Sequence, residues 1–436
     1  MTLFGKHVAV LGAGHSGRAA AALALREGAT VSVYDAAGAE VFKGMPEGVE
    51  IVSHATAAIG STVVSDLLVV SPGIDTYGPY VAAFSEQAGE VIGETEFAAR
   101  YFTGRIVGIT GTNGKTTTTE LVSRILAGAG LGGTPCGNYG VPFAEVALKK
   151  DQPAAVSLEL SSFQLETIRT LHPEVAIWLN FAPDHMDRYP TVEAYFAAKL
   201  RIFENQTDAD IAIIRDGEAL PERKARTETF STEDDSADWF SDGLVVRYRG
   251  EVVLDLQHDT SLRGLHNSEN AMAALAAGHA LGIPFATMRD SLHGYAPPPH
   301  RCELIRTLDG VEYLNDSKAT NLHALESALR SQTRPVVLIA GGKEKGLDYA
   351  PVVPLLKAKG LAAVTFGQIA VPLGKVLAEA VPVETVSTLE EAVHAARRLA
   401  PRGSTVLLSP GTSSFDQFSG YENRGNVFRD IVHQLR

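Results

Sequence analysis

An α/β fold in three domains is what this sequence predicts, and three observations carry that expectation. The chain has 436 residues, too many for one core when an ordinary domain holds about 150. Short apolar strands alternate with helix-patterned segments from end to end. Two glycine-rich loops, at 12–17 and 111–117, each follow a strand and open a helix, which marks two separate beginnings of a sheet. The composition agrees, with 45% apolar residues and 41 glycines. No apolar run approaches the roughly 18 residues of a membrane span, and the amino terminus lacks a basic-then-apolar leader, so a cytoplasmic location is expected. A formal charge of −13 repels nucleic acid and anionic membrane, so anionic ligands must be captured by local cations and backbone donors. Cys136 and Cys302 are the two cysteines and have no metal-ligand spacing, which argues against disulfides and zinc. A monomer is expected.

The first domain, 1–101, opens with a βαβ unit: strand 8–11, an alanine-rich helix 16–27 and strand 30–35, followed by strands 49–52 and 67–70. Gly12-Ala13-Gly14-His15-Ser16-Gly17 is a complete Gly-x-Gly-x-x-Gly between strand and helix, and Asp35 ends the next strand about 20 residues on. Read alone it suggests a nicotinamide dinucleotide. Physically it requires only a diphosphate approaching backbone at a helix amino terminus, which a uridine diphosphate meets equally well; a glycine-rich turn needed for packing is the remaining reading. Ser71-Pro72-Gly73 then turns the chain at the end of a strand.

The second domain, 102–296, begins with strand 106–110 and the loop Gly111-Thr112-Asn113-Gly114-Lys115-Thr116-Thr117. Its glycines let backbone N–H groups close around phosphate, Lys115 places a point charge on the β/γ phosphates, and Thr116 offers a hydroxyl to Mg2+. That is an ATP or GTP site, in a variant form with Ile109 where the strict pattern has glycine. Further strands are read at 155–160, 175–181 and 211–214. Glu159 stands near a strand's carboxyl end, where open α/β sheets gather ligands and where it could hold Mg2+. Residues 180–188 cluster His185 with Asp184 and Asp187, as turn and cap chemistry or as a site. Lys199 has helical spacing and on residue type alone reads as solvated. The charged stretch 222–242 reads as an exposed excursion and 244–256 as a hairpin; Asn267 or Asn270 is expected to cap the following helix. Ala296-Pro297-Pro298-Pro299-His300 is the best linker. In the third domain, 297–436, strands 336–340, 363–366 and 405–408 alternate with helices. Polar loops at 315–321, 341–346 and 409–418 follow strands, which favours a polar substrate.

Together these segments resemble the Mur ligases, the ATP-dependent amide-bond-forming enzymes of peptidoglycan synthesis, over nearly the whole chain. The loop 111–117 and Asp184-His185-Met186-Asp187-Arg188 resemble the family at large, including the folylpolyglutamate synthases. Ser161-Ser162-Phe163-Gln164-Leu165-Glu166, with Asp416-Gln417-Phe418 and Glu422-Asn423-Arg424-Gly425, resembles the members that add D-glutamate to UDP-N-acetylmuramoyl-L-alanine. The resemblance implies a Rossmann-like amino-terminal sheet, a P-loop ATPase-like central sheet and a Rossmann-like carboxyl-terminal sheet. By position it implies that Gly14, His15, Ser16, Asp35, Ser71, Gly73 and Asn138 hold the uridine diphosphate sugar. Gly111 to Thr117 would hold the ATP phosphates, Asn270 the adenine, and Arg301 and Asp316 the rest of the nucleotide. Thr116 and Glu159 match ligands of one Mg2+. His185 and Lys199 match ligands of a second, with Lys199 carrying CO2 as a carbamate, which exchanges an ammonium for a hard anionic oxygen. His185 also falls among the substrate positions. Thr320, Lys345, Ser414 and Tyr421 match the D-glutamate pocket, and Lys318 lies beside the reacting phosphate, so the catalytic set implied is Lys115, Glu159, His185, Lys199 and Lys318. Tyr421 stands where phenylalanine is common, Ala36 lacks a hydroxyl sometimes found beside uracil, and the loop 341–346 departs from the commoner Gly-Gly-Asp-x-Lys. The implied chemistry is an acyl phosphate made from ATP and opened by the amino acid, with the third domain closing about a hinge near 297–299. The alternatives are a nicotinamide dehydrogenase, a partner-binding nucleotide switch and a neighbouring amide ligase of the same family.

Overall fold

The computed structural model describes residues 2–186, 188–296 and 299–436. Asp187 of the 184–188 motif and Pro297 and Pro298 of the expected hinge lie outside the described residues. The chain divides into two compact units, Met1–Arg263 with Asn267–Tyr295, and Gly264–His266 with Ala296–Arg436.

The first unit holds two sheets. Strands β1 (His7–Leu11), β2 (Thr30–Tyr34), β3 (Val49–Val52), β4 (Leu67–Val70) and β5 (Val91–Gly93) form a sheet in the order β3-β2-β1-β4-β5. Every neighbouring pair is parallel. The apolar runs of β1 and β4 are buried almost throughout, as strands covered on both faces must be. The strand order reverses between β1 and β4, so the crevice where α/β sheets bind ligands opens at their carboxyl ends, at Gly12–Gly14 and Ser71.

The second sheet contains β6 (Arg105–Thr110), β7 (Gly132–Gly137), β8 (Ala155–Glu159), β9 (Val175–Trp178), β10 (Ile211–Arg215), β11 (Arg226–Ser231), β12 (Trp239–Ser241), β13 (Val245–Tyr248) and β14 (Glu251–Asp255). Its order is β14-β13-β12-β11-β10-β9-β6-β8-β7. β6 lies between β8 and β9, both parallel to it, in a register that pairs Ile109 with Glu159 and Thr110 with Trp178. The loop 111–117 therefore leaves the sheet between Glu159 and the 180–188 segment. β13 and β14 form the expected hairpin.

Two expectations are corrected here. Residues 222–242 are not an exposed excursion: β11 pairs parallel with β10, β12 extends the sheet, and Phe230 and Trp239 are completely buried. Asn267 and Asn270 do not cap the following helix, which runs Leu265–Ala280 and so begins before both; their side chains are buried.

The second unit carries β15 (Glu303–Leu308), β16 (Val311–Asn315), β17 (Val336–Gly341), β18 (Gly360–Phe366), β19 (Val383–Thr385) and β20 (Thr405–Leu408), in the order β15-β16-β20-β17-β18-β19. Only the edge strand β15 runs antiparallel. The three polar loops leave β16, β17 and β20, which are neighbours, so all three emerge side by side at one sheet edge. Among the described residues no helix is long and apolar enough to cross a membrane.

Candidate active site

At the end of β1, Gly12 adopts φ 97° and the chain enters helix His15–Arg26 with no side-chain cap at Gly14. The helix's first N–H groups are left for a ligand. Gly17 is required by contact: a Cβ there would lie 1.8 Å from the Gly12 carbonyl oxygen. Asp35 holds the turn in place, its carboxylate accepting the Ala13 N–H at 2.8 Å and the Ala37 N–H at 2.9 Å. The Ser71 hydroxyl, buried and without a hydrogen-bond partner, faces this turn from β4. Gly73 borders open space, Ser16 is half-buried, and exposed His15 reaches Glu145 at 3.1 Å.

At the end of β6, Gly114 has φ 85° and packs against Asn270, whose Oδ1 would lie 2.3 Å from a Cβ at that position and accepts the Thr118 hydroxyl at 3.3 Å. Asn113 is fixed by its N–H to Asn180 Oδ1 at 2.9 Å, and the Thr112 hydroxyl donates to the Ala182 carbonyl at 3.0 Å. Thr117 faces the core, while Thr116 is half-buried at the start of helix Lys115–Gly128. Lys115 Nζ curls back to the carbonyls of Gly111 and Thr112, 2.9 Å from each.

Lys199 meets it there. The Lys199 side chain, on helix Val192–Leu200, is 1% exposed, and its Nζ donates to the same Gly111 carbonyl at 2.8 Å. Burial, with the Lys115 ammonium adding repulsion, holds its pKa well below the usual lysine range, against the opposing pull of Asp184 and Glu159. The solvated reading of Lys199 from residue type is therefore wrong. Glu159 is equally buried; its Oε1 accepts Asn138 Nδ2 at 2.7 Å and its Oε2 has no hydrogen-bond partner. A buried carboxylate oxygen left bare is costly unless a cation completes it. His185 adopts φ 56°, and its ring packs edge-on against Phe163 at 5.0 Å. Among the described residues no group of three or more His, Cys, Asp or Glu side chains is placed to hold a metal. A cation here would draw on a mixed set of oxygens instead.

In the second unit, Asp316 is buried after β16 and accepts the Cys302 N–H at 3.2 Å and the Ser409 hydroxyl at 2.9 Å. Burial pushes its carboxyl up to about 7. Arg301 lies between His300 and Cys302, which both adopt positive φ, 68° and 47°. Lys318 Nζ sits 3.7 Å from the centre of the Tyr421 ring, and burial raises the Tyr421 hydroxyl to about 12. Ser414 is buried, Thr320 half-buried, and Lys345 and Lys343 are both exposed. Arg424 is completely buried and ties the loops together, donating to Ser317 Oγ at 2.9 Å, the Ser317 carbonyl at 2.8 Å and the Thr412 carbonyl at 3.2 Å.

The chain is similar over its full length to the UDP-N-acetylmuramoylalanine–D-glutamate ligase of Myxococcus xanthus (strain DK1622), 41% identical with 100% of each chain covered. The enzyme of the same name from Koribacter versatilis (strain Ellin345) is 38% identical, with 100% of this chain and 99% of the relative covered. Residues 109–278 match the Mur ligase middle domain, and residues 300–411 match the Mur ligase, glutamate ligase domain. The chain belongs to the Mur ligase family. Among solved structures, a pseudomurein peptide ligase type C from Methanothermus fervidus shares the fold, with a TM-score of 0.61 at 18% identity, covering 99% of this chain and 100% of that one. This Mur ligase is an ATP-dependent ligase, and neither family match supports the dehydrogenase.

The geometry brings Lys115, Lys199, Glu159 and Asn138 to one edge of the second sheet, and Gly14, Asp35 and Ser71 to one crevice of the first. Sequence reading gave no role to Arg424, Arg188, Phe163 or Tyr195. Arg424, Arg188 and Phe163 sit inside segments that carried the resemblance, and that was the available signal. Tyr195, buried with Lys199 Nζ 4.9 Å from its ring centre, had none beyond helical spacing.

Proposed function

We propose that this Mur ligase joins D-glutamate to UDP-N-acetylmuramoyl-L-alanine, with ATP becoming ADP and phosphate, as a cytoplasmic, monomeric enzyme of peptidoglycan precursor synthesis. The observation that carries the site reading is the junction at the end of β6. Two lysines there converge on the Gly111 carbonyl beside a buried carboxylate with a spare oxygen. The full-length likeness to enzymes named for this reaction supports the choice of substrates.

A carboxylate does not accept an amine at neutral pH, because its charge repels the nucleophile and oxide is a poor leaving group. In this reading the L-alanyl carboxylate attacks the γ-phosphorus and ADP departs. The D-glutamate amine then attacks the acyl carbon, and phosphate leaves through a tetrahedral intermediate. Gly111, Thr112, Asn113, Gly114 and Thr117 cradle the triphosphate by backbone and turn geometry, and Lys115 swings from its carbonyl partners to the β/γ oxygens. Glu159 Oε2 and the Thr116 hydroxyl fit one Mg2+; Lys199, as a carbamate, and His185 fit a second. Bound Mg2+ would spread the charge that builds on the transferring phosphoryl group. Asn138 orients Glu159 while facing the sugar side. Gly14, His15, Ser16, Asp35, Ser71 and Gly73 hold the uridine diphosphate. Asn270, Arg301 and Asp316 serve the remainder of ATP. Thr320, Lys345, Ser414 and Tyr421 hold D-glutamate, with Lys318 at the reacting phosphate. The functional divisions are 1–101, 102–296 and 297–436.

The test is an acceptor screen. With UDP-N-acetylmuramoyl-L-alanine and ATP, D-glutamate alone among amino acids should stimulate ADP release and yield a product heavier by one glutamyl residue. A different amino acid in the product would transfer the reading to another member of the family.

A further inference from the structure

Arg188 belongs to a segment that carried the family resemblance, yet the proposed chemistry gives it no task. Its surroundings do. The guanidinium lies at the seam between the first two sheets, its carbon over the Phe163 ring, 3.9 Å from the ring centre. Its Nη2 reaches the Ile74 carbonyl at 3.3 Å and the Thr76 hydroxyl at 3.4 Å, both on the loop that leaves β4. The same nitrogen meets Glu166 Oε2 at 3.2 Å, on the far side of the seam. The Arg188 side chain is 15% exposed and that of Glu166 only 2%, so this pair is poorly screened by water.

Two further contacts carry the connection onward. Tyr189, the next residue, donates its hydroxyl to Glu166 Oε1 and stacks on Phe163 at 5.9 Å. Phe163 in turn takes the His185 ring edge-on, while the His185 carbonyl accepts the N–H groups of Arg188 and Tyr189, each at 3.0 Å. The left-handed backbone of His185 is thus held from both sides.

We propose that Arg188 is a positioning residue that ties the Ser71–Thr76 loop of the first sheet to the His185 loop of the second, setting the sugar nucleotide in line with the reacting phosphate. The inference rests on the roles proposed above for Ser71, Gly73 and His185. An arginine suits the task because its delocalised cation rests over the Phe163 ring while Nη2 reaches acceptors on the β4 loop and on Glu166 together, a placement that a compact, strongly hydrated lysine ammonium reproduces poorly. Loss of these contacts lets the β4 loop drift, and misplacement of a reactant by about 1 Å is enough to cost rate as well as affinity.

The experiment measures steady-state ADP release with UDP-N-acetylmuramoyl-L-alanine, ATP and D-glutamate varied in turn, on wild type, Arg188→Ala, Arg188→Lys and Thr76→Ala, with thermal melts of each. Arg188→Ala should raise KM for the sugar nucleotide about tenfold and lower kcat about tenfold, with KM for ATP unchanged within about twofold. Arg188→Lys should restore part of kcat, because the charge over Phe163 survives, and leave the sugar-nucleotide KM raised. Thr76→Ala removes one acceptor on the substrate side and should raise that KM about threefold; it decides the matter if Arg188→Ala does not fold. Sugar-nucleotide KM and kcat unchanged in these variants would overturn the inference, as would equal rises in KM for both nucleotides. Absence of turnover by the wild type would instead sink the proposed reaction.

Discussion

Replacing Gly17 by alanine tests the reading of the first sheet most sharply. The added Cβ would stand 1.8 Å from the Gly12 carbonyl oxygen and 2.9 Å from its carbon, with the Ser71 hydroxyl next at 3.3 Å. Ordinary contact asks for about 3.5 Å, so the carbonyl must retreat by roughly 1.7 Å. It has little freedom, since the Gly12 N–H is bonded to the Tyr34 carbonyl at 2.8 Å. Overpacking of this kind costs about 1–3 kcal/mol of stability, and the displaced turn is the one that presents helix N–H groups to the diphosphate. Losing one charge-assisted hydrogen bond of about 1.5–3 kcal/mol corresponds to about tenfold or more in binding. Coupled ADP-release kinetics should therefore show KM for the sugar nucleotide raised at least about tenfold, KM for ATP unchanged within about twofold, and a lowered melting temperature. Wild-type KM for the sugar nucleotide in a variant that melts like wild type would refute the steric reasoning and the assignment of the crevice together.

Lys199→Ala should lower turnover at ordinary Mg2+ by at least about 10–100-fold, the loss typical of removing even an outer partner of a metal site; undiminished turnover would reject the carbamate. Trp239→Ala should cost about 3–5 kcal/mol in urea unfolding, since the ring is completely buried and its Nε1 donates to Glu228 at 3.1 Å; a change under about 0.5 kcal/mol would restore the exposed reading of 222–242. Asp316→Asn should stabilise the protein increasingly as pH rises. Burial lifts the Asp316 carboxyl from 3.8 to about 7, so between those values the folded state keeps a proton that the unfolded chain has lost, and stability drains away across that window. The shift is worth on the order of 4 kcal/mol above pH 7 and nothing below pH 4. Denaturation at pH 5 and pH 8 should show the variant's advantage larger at pH 8, and an equal difference at both would count against it.

Both phosphate loops were legible because their chemistry is written in backbone requirements. Glycines at 12, 17 and 114 are needed for turn geometry and close approach whatever surrounds them, and strand alternation puts every polar loop at a carboxyl edge. Lys199 was not legible from its residues alone. A lysine in a helical pattern is nearly always solvated, and only the packing of its helix beneath Gly111 buries it; family resemblance supplied what local pattern could not. Residues 222–242 misled for a related reason. β11 is exposed along its first half and buried only at Phe230 and Ser231, so charge dominates its composition while one end does the packing. The caps at Asn267 and Asn270 failed because both amides found tertiary or upstream partners, Asn267 donating to the Arg263 carbonyl at 2.9 Å and Asn270 accepting from Thr118. Arg188 and Arg424 bind loops distant in sequence, so their motifs flagged the segments while residue type and spacing gave no role.

The central claim is that the substrate carboxylate itself is phosphorylated. Placing a heavy oxygen isotope in the L-alanyl carboxylate of the sugar nucleotide and weighing the inorganic phosphate released on ligation tests it directly. One labelled oxygen should appear in each phosphate formed. Phosphate free of label, with both labelled oxygens accounted for elsewhere, would mean that ATP is split without ever bonding to the acid, and the acyl-phosphate route would be wrong.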